Sequence, residues 1–228
     1  MNGFLSWVKQ LQFGSLLDTV LIVAASLVCI IFHETSHGRV AYWLGDDTAK
    51  RAGRLSLNPL RHIDPVGLVM MAVLKFGWAK PVPIDMRNFR RPKQGMALTA
   101  LAGPVSNVLL SAVALLLRSA LYYFYDRGAS LGTVITFLEY VAVISAGLAV
   151  FNIIPVSPLD GSKVFAAVLP DEQYMKLMRY ERYGMILLVV LMFSGVLNTP
   201  LTYLRGCLLD GLQAVTSFPY AVLAHFFG

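Results

Sequence analysis

Residues Phe32-His33-Glu34-Thr35-Ser36-His37 carry an H-E-x-x-H pattern inside an apolar run. On a helix, His33 and His37 are four residues apart and project from one face. Two imidazoles can then bind one zinc ion, with Glu34 beside them to take a proton from the water such a metal activates. The alternative is three polar residues buried in a core and satisfied by neighbours. That suits a soluble helix better than this one, because Leu16–Ile31 holds a single charge, Asp18, and leads straight into the motif. Two histidines and a glutamate in hydrocarbon are costly without a function.

The elements that must position these residues are membrane helices. The chain has 228 residues, of which 57% are hydrophobic and only 14% charged. Its mean hydropathy is +0.63. Globular proteins are nearer a quarter charged, so the composition indicates an all-α polytopic membrane protein integrated in a lipid bilayer. The length suits one unit over 1–228, with no room for a separate soluble domain. The net charge of +6 does not point to nucleic acid in such a chain; it reflects basic loops held on the cytoplasmic side. Cys29 and Cys207 both lie in apolar runs, so neither a disulfide framework nor a cysteine zinc site is indicated. No cleavable signal peptide is expected, since the first long apolar run contains the motif itself.

In chain order, Asn2–Phe13 alternates apolar and polar groups in the manner of a short surface helix. The first span is expected over 16–44. Residues 48–94 are polar and punctuated; Arg54-Leu55-Ser56-Leu57 alternates like a strand. Val66–Phe76 is apolar, but as a helix it would reach only about 17 Å of the roughly 30 Å hydrocarbon core. In Gly77-Trp78-Ala79-Lys80-Pro81-Val82-Pro83-Ile84 two prolines exclude helix and favour an edge strand. Further spans are expected over 96–117, 134–155 and 183–197, and 201–227 is either a span or an interfacial helix. The expectation is a bundle of about five transmembrane helices with a short re-entrant or strand insertion after the first.

Two histidines leave a zinc ion short of a third protein ligand. The metzincin continuation fails, because Val40 and Trp43 stand where its glycine and third histidine would be. His62, His225, Asp46, Asp47, Asp64, Glu139 and Asp160 remain. Asp160 stands out: Asn152-Ile153-Ile154-Pro155-Val156-Ser157-Pro158-Leu159-Asp160-Gly161 ends an apolar span, and its prolines unwind the helix and steer the carboxylate inward. Taken alone, an aspartate before a glycine is an ordinary turn residue.

The H-E-x-x-H of the first span, followed by N-x-x-P-x-x-P-L-D-G in a later one, resembles the site-2 protease family of intramembrane zinc metalloproteases. Gly45-Asp46, Asn58-Pro59-Leu60, His62-Ile63-Asp64-Pro65-Val66-Gly67, Ala79-Lys80-Pro81-Val82 and Ala102-Gly103-Pro104-Val105-Ser106-Asn107 resemble its small prokaryotic subgroup, which lacks PDZ and CBS domains. The likeness covers roughly 24 to 183. It implies His33, His37 and Asp160 as ligands of one Zn2+ per chain, Glu34 as the catalytic base, and Asn152 as a contact to substrate backbone or oxyanion. It also implies a transmembrane helix of another protein as substrate. The apolar stretch after Asp64-Pro65 is shorter than is usual in the subgroup.

If Asp160 joins the histidines at one ion, the first span and the 134–155 span must run the same way through the bilayer. Only one full crossing, 96–117, then lies between them, so Val66–Phe76 should dip in and return. Outside that dip, Gly45–Gly95 then lies on one face with nine basic residues, which places the N-terminus outside and the zinc nearer the cytoplasm of a prokaryotic cytoplasmic membrane. The unwound substrate needs an edge to pair with, for which Trp78, Ala79, Lys80, Pro81 and Val82 are candidates. Asn107, polar at the head of an apolar span, is a second candidate to line the site; it equally suits helix packing with Gly103. A pseudoprotease or a metal-binding or transport protein is the competing class, which the intact Glu34 disfavours. Self-association is left open by the sequence.

Overall fold

The computed structural model describes residues 16–62, 64, 67 and 80–227. The expected surface helix over 2–13 and re-entrant stretch over 66–76 lie outside them, as do Trp78 and Ala79. Helix α1 (Leu16–Trp43) is 28 residues long, roughly 42 Å at the α-helical rise. It ends at Gly45, whose φ of +111° lies where a side chain would be strained.

Beyond it, Asp46 is fully buried yet ionisable. Its carboxylate accepts from the N–H and hydroxyl of Thr48, from the N–H of Asp85 at 2.8 Å and from Asn88 Nδ2 at 2.8 Å. Burial opposes ionisation, but these donors outweigh it and hold the carboxyl below the usual carboxylate range. The residue clasps the end of α1 to the chain near 85–88. Short helix α2 (Thr48–Arg51) follows, then 3-10 turns at Pro59–Arg61 and Met86–Asn88. Asn58 and Asp85 cap these turns, accepting from the N–H groups of Leu60 and Arg87.

The strand expected at Arg54–Leu57 does not form, and no strand occurs among the described residues. Its would-be partner contains Pro81 and Pro83, which have no N–H for a ladder. A side chain makes the connection instead: the buried Arg54 guanidinium donates to the carbonyls of Lys80 and Pro81.

Helix α3 (Pro92–Tyr125) is 34 residues long, longer at both ends than the span expected over 96–117. Pro92 opens it, a position that needs no N–H donor. Helix α4 (Gly132–Asn152) stops before Pro155, which cannot continue it. Short helices α5 (Asp160–Ala166) and α6 (Asp171–Arg179) follow. Helix α7 (Glu181–Ser194) has 14 residues, roughly 21 Å, and is too short to be the span expected over 183–197. It is closed by Gly195 at φ +75°. Helices α8 (Asn198–Thr216) and α9 (Phe218–Phe227) together make a stretch of 30 residues apolar enough to cross. Four stretches, α1, α3, α4 and α8–α9, are therefore long and apolar enough to span, with α7 as a shorter apolar helix.

Helices α1, α3 and α4 pack on one another, around Ala25, Cys29, Ala114, Leu115, Val141 and Ala142. Small residues let these backbones approach, and hydroxyls bridge them: Ser111 Oγ donates to the Ala142 carbonyl at 2.9 Å, and Ser145 Oγ to Cys29 Sγ at 3.1 Å. The contacts give the directions. On α3, Thr99 meets His37 and Asn107 meets His33, so α1 and α3 are antiparallel. Ser111 with Ala142 and Arg118 with Glu139 make α3 and α4 antiparallel too. Helices α1 and α4 thus run the same way. This is an integral membrane protein built as a helical bundle.

Candidate metal centre

His33 and His37 sit one turn apart on α1, both buried and both facing α3. Their rings lie 4.6 Å apart, nearly perpendicular. The facing surface of α3 carries Thr99, Gly103 and Asn107, an i, i+4, i+8 row that matches the histidine spacing in the antiparallel sense. His37 Nδ1 is 2.7 Å from the Thr99 carbonyl oxygen. Asn107, fully buried, lies with its amide nitrogen 3.1 Å from His33 Nδ1. Between them Gly103 presents no side chain, and a methyl group there would lie 2.4 Å from His37 Nε2 and 2.5 Å from His33 Cε1. Pro104, inside α3, has no N–H to give the Ala100 carbonyl, one residue from the Thr99 oxygen that meets the ring.

The carboxylate arrives from the far end of α4. After Asn152 the chain turns through Pro155 and Pro158, and Gly161 lies so close to the end of α4 that a methyl group there would meet the Ile153 carbonyl oxygen at 2.1 Å. That fold-back brings Asp160, first residue of α5, against α1. Its Oδ2 is 3.1 Å from His33 Nε2 and 3.2 Å from His37 Nε2. One ligand atom from each of the three residues falls within 4.8 Å of the others. Two imidazole nitrogens and a carboxylate oxygen are the donor set of a catalytic zinc site. The side-chain-free space at Gly103 keeps both Nε2 atoms accessible, so the residues fit the ion the sequence led us to expect.

Glu34 points to the flank of this cluster, where its Oε2 accepts from the Val82 N–H at 2.9 Å. Gly38 lets that segment and Leu55 approach α1, since a methyl group there would lie 3.0 Å from Val82 Cγ1 and 2.6 Å from Leu55. The Lys80 N–H donates to the His62 carbonyl at 2.9 Å, and His62 Nε2 lies 2.6 Å from the Ser56 carbonyl oxygen. Of the residues expected to pair with a strand, Trp78 and Ala79 lie outside the described residues, while the N–H groups of Lys80 and Val82 are engaged and Pro81 has none. Within 80–82, no backbone donor is left for an added strand.

Asn152, at the end of α4, gives one amide N–H to the Leu148 carbonyl of its own helix at 3.0 Å. The other acids and histidines weighed as ligands lie apart from the cluster: Asp46 in its clasp, Asp47 paired with Arg51, Glu139 with Arg118, and His225 exposed on α9. Thr99 and Arg54 were not anticipated as site residues. The i, i+4, i+8 row through Thr99, Gly103 and Asn107 was the available signal for the first. Nothing local marked Arg54, whose partners lie 26 and 27 residues away.

Fold and site together define a helical membrane protein with a His-His-Asp cluster beside a glutamate, the arrangement of a membrane metallohydrolase. The model of peptidase family M50 matches residues 119–196. YwhC of Bacillus subtilis (strain 168), assigned by name to the zinc metalloproteases, is 37% identical over 172 residues, covering 75% of this chain and 78% of its own. Rip2 of Mycolicibacterium smegmatis, named likewise, is 28% identical over 184 residues, covering 78% and 69%. Rip2 of Mycobacterium tuberculosis (strain H37Rv) is 27% identical over 208 residues, covering 87% and 77%. No solved structure matches. The chain belongs to peptidase family M50, the site-2 protease family, and is a metalloprotease.

Proposed function

We propose that this protein is an intramembrane endopeptidase that hydrolyses peptide bonds in transmembrane segments of other membrane proteins. His33 Nε2, His37 Nε2 and a carboxylate oxygen of Asp160 would hold one zinc ion per chain. The observation that carries this reading is the convergence of those three atoms from residues up to 127 apart in sequence, with both histidines on a helix long and apolar enough to span. Bound zinc supplies Lewis-acid polarisation of water and of the scissile carbonyl.

The chain's own residues do the proton work. Val82 N–H fixes Glu34 Oε2, which leaves Oε1 to accept the proton of the attacking water and pass it to the leaving amine. The substrate helix must unwind first, because its own hydrogen bonds shield its carbonyls. Asn152 keeps its Oδ1 and a second amide N–H for that unwound backbone or for the developing oxyanion. The parallel course of α1 and α4, and the meeting of Lys80 with His62, support an arrangement in which His62 and Lys80 lie on the same face of the bundle. The described residues of 45–95 then share one face, and the nine basic residues among them support a cytoplasmic-membrane protein with its site toward the cytoplasm.

Glu34→Gln tests the assignment. Cleavage of a reporter transmembrane helix in proteoliposomes should fall by at least about a thousandfold, since both proton transfers are lost, each contributing about 10² or more. Zinc content should be unchanged. Cleavage at the wild-type rate would refute the role of Glu34.

A further inference from the structure

Both histidines need their second ring nitrogen held if the first is to ligate. An imidazole that binds a metal through Nε2 carries its hydrogen on Nδ1 and requires an acceptor there. For His37 the acceptor is the Thr99 carbonyl oxygen. Among the described residues, the hydrogen-bonding group at His33 Nδ1 is the Asn107 amide, whose nitrogen lies 3.1 Å away while its Oδ1 is buried without a partner. A donor facing Nδ1 would force the hydrogen onto Nε2 and block ligation. A half-turn of the amide exchanges its two atoms and brings Oδ1 to the ring.

We infer that Asn107 is a positioning residue of the metal centre, its Oδ1 accepting the Nδ1–H of His33 so that Nε2 is bare and aimed beside Asp160. This rests on the zinc reading above. By sequence alone Asn107 suits either lining the site or helix packing with Gly103; its full burial beside His33 supports a positioning role. It also explains the residue type, since an apolar side chain of equal size would fill the space and leave Nδ1–H without an acceptor. Partners of this kind typically contribute 10- to 100-fold to metal affinity.

The test is zinc affinity of the detergent-purified full chain by competition with a chelator, for wild type, His33→Ala, Asn107→Leu and Asn107→Asp. Asp keeps an acceptor oxygen and has no donor; Leu keeps the volume and has neither. Asn107→Leu should weaken zinc binding 10- to 100-fold, while Asn107→Asp should stay within about threefold of wild type. Leucine at wild-type affinity, or aspartate as weak as leucine, would overturn the inference. If the leucine variant does not fold, as thermal unfolding will reveal, the aspartate variant decides alone: a tenfold loss refutes, retention supports. Wild type and His33→Ala binding zinc equally would overturn the metal reading and this inference with it.

Discussion

Gly103→Ala is a one-carbon change whose effect follows from the geometry. The added methyl would lie 2.4 Å from His37 Nε2 and 2.5 Å from His33 Cε1, about 1 Å inside ordinary contact distance. In an open helical position the same change should be neutral or stabilising by up to about 1 kcal/mol, from helix propensity alone. Here the methyl is accommodated only if α3 moves off α1 or the rings swing aside. Either displaces ligand nitrogens by about 1 Å, against a tolerance of roughly 0.2 Å at a zinc site. Two of three protein ligands are affected, so zinc affinity should fall by about 100-fold or more, near 2.8 kcal/mol. Chelator competition on the purified protein reads this directly, and cleavage should fall in parallel. Gly206→Ala on α8, where nothing lies within 4 Å, is the control and should bind zinc as wild type does. Gly103→Ala with unchanged zinc affinity would refute the account of how α3 fits the motif helix.

Asp46 gives a pH dependence. Its folded carboxyl is held below the usual range, so its stabilisation is fully present above the unfolded pKa near 3.9 and is lost as pH falls through the lower folded value. Asp46→Asn should lower stability at neutral pH by about 1–3 kcal/mol and reduce the acid dependence below about pH 4; thermal unfolding in detergent from pH 3 to 7 measures both, and an unchanged acid limb would refute the clasp. Arg54→Met removes the guanidinium from the Lys80 and Pro81 carbonyls, losing two hydrogen bonds of a charged donor, worth about 1.5–3 kcal/mol each at most. Zinc content should hold, while limited proteolysis within 52–91 accelerates and cleavage falls through loss of the Val82 contact to Glu34; proteolysis at the wild-type rate would refute that role.

Some of this was legible in the sequence because its physics is local. His33 and His37 needed only helical spacing, and Asp160 was marked by the prolines that end α4. The direction of α1 and α4 followed from requiring their residues to meet. Other features depended on what the chain meets far away. The alternation at Arg54–Leu57 suggested a strand, but Pro81 and Pro83 on the facing segment cannot complete a ladder. The run 183–197 read as a span by composition, yet Gly195 closes α7 after 14 residues. Asn107 suits either substrate lining or helix packing in the sequence, and its burial beside His33 depends on how α1 meets α3. Arg54 gave no local signal, since its role exists only once Lys80 and Pro81 are brought beside it.

The central claim is that His33, His37 and Asp160 together hold one zinc ion. The most direct measurement is zinc per chain in detergent-purified protein after reloading and desalting, for wild type, Asp160→Ala and His62→Ala. The account predicts about one zinc in wild type and in His62→Ala, whose imidazole is engaged with the Ser56 carbonyl, and a large loss in Asp160→Ala. Full zinc retention in Asp160→Ala would contradict it.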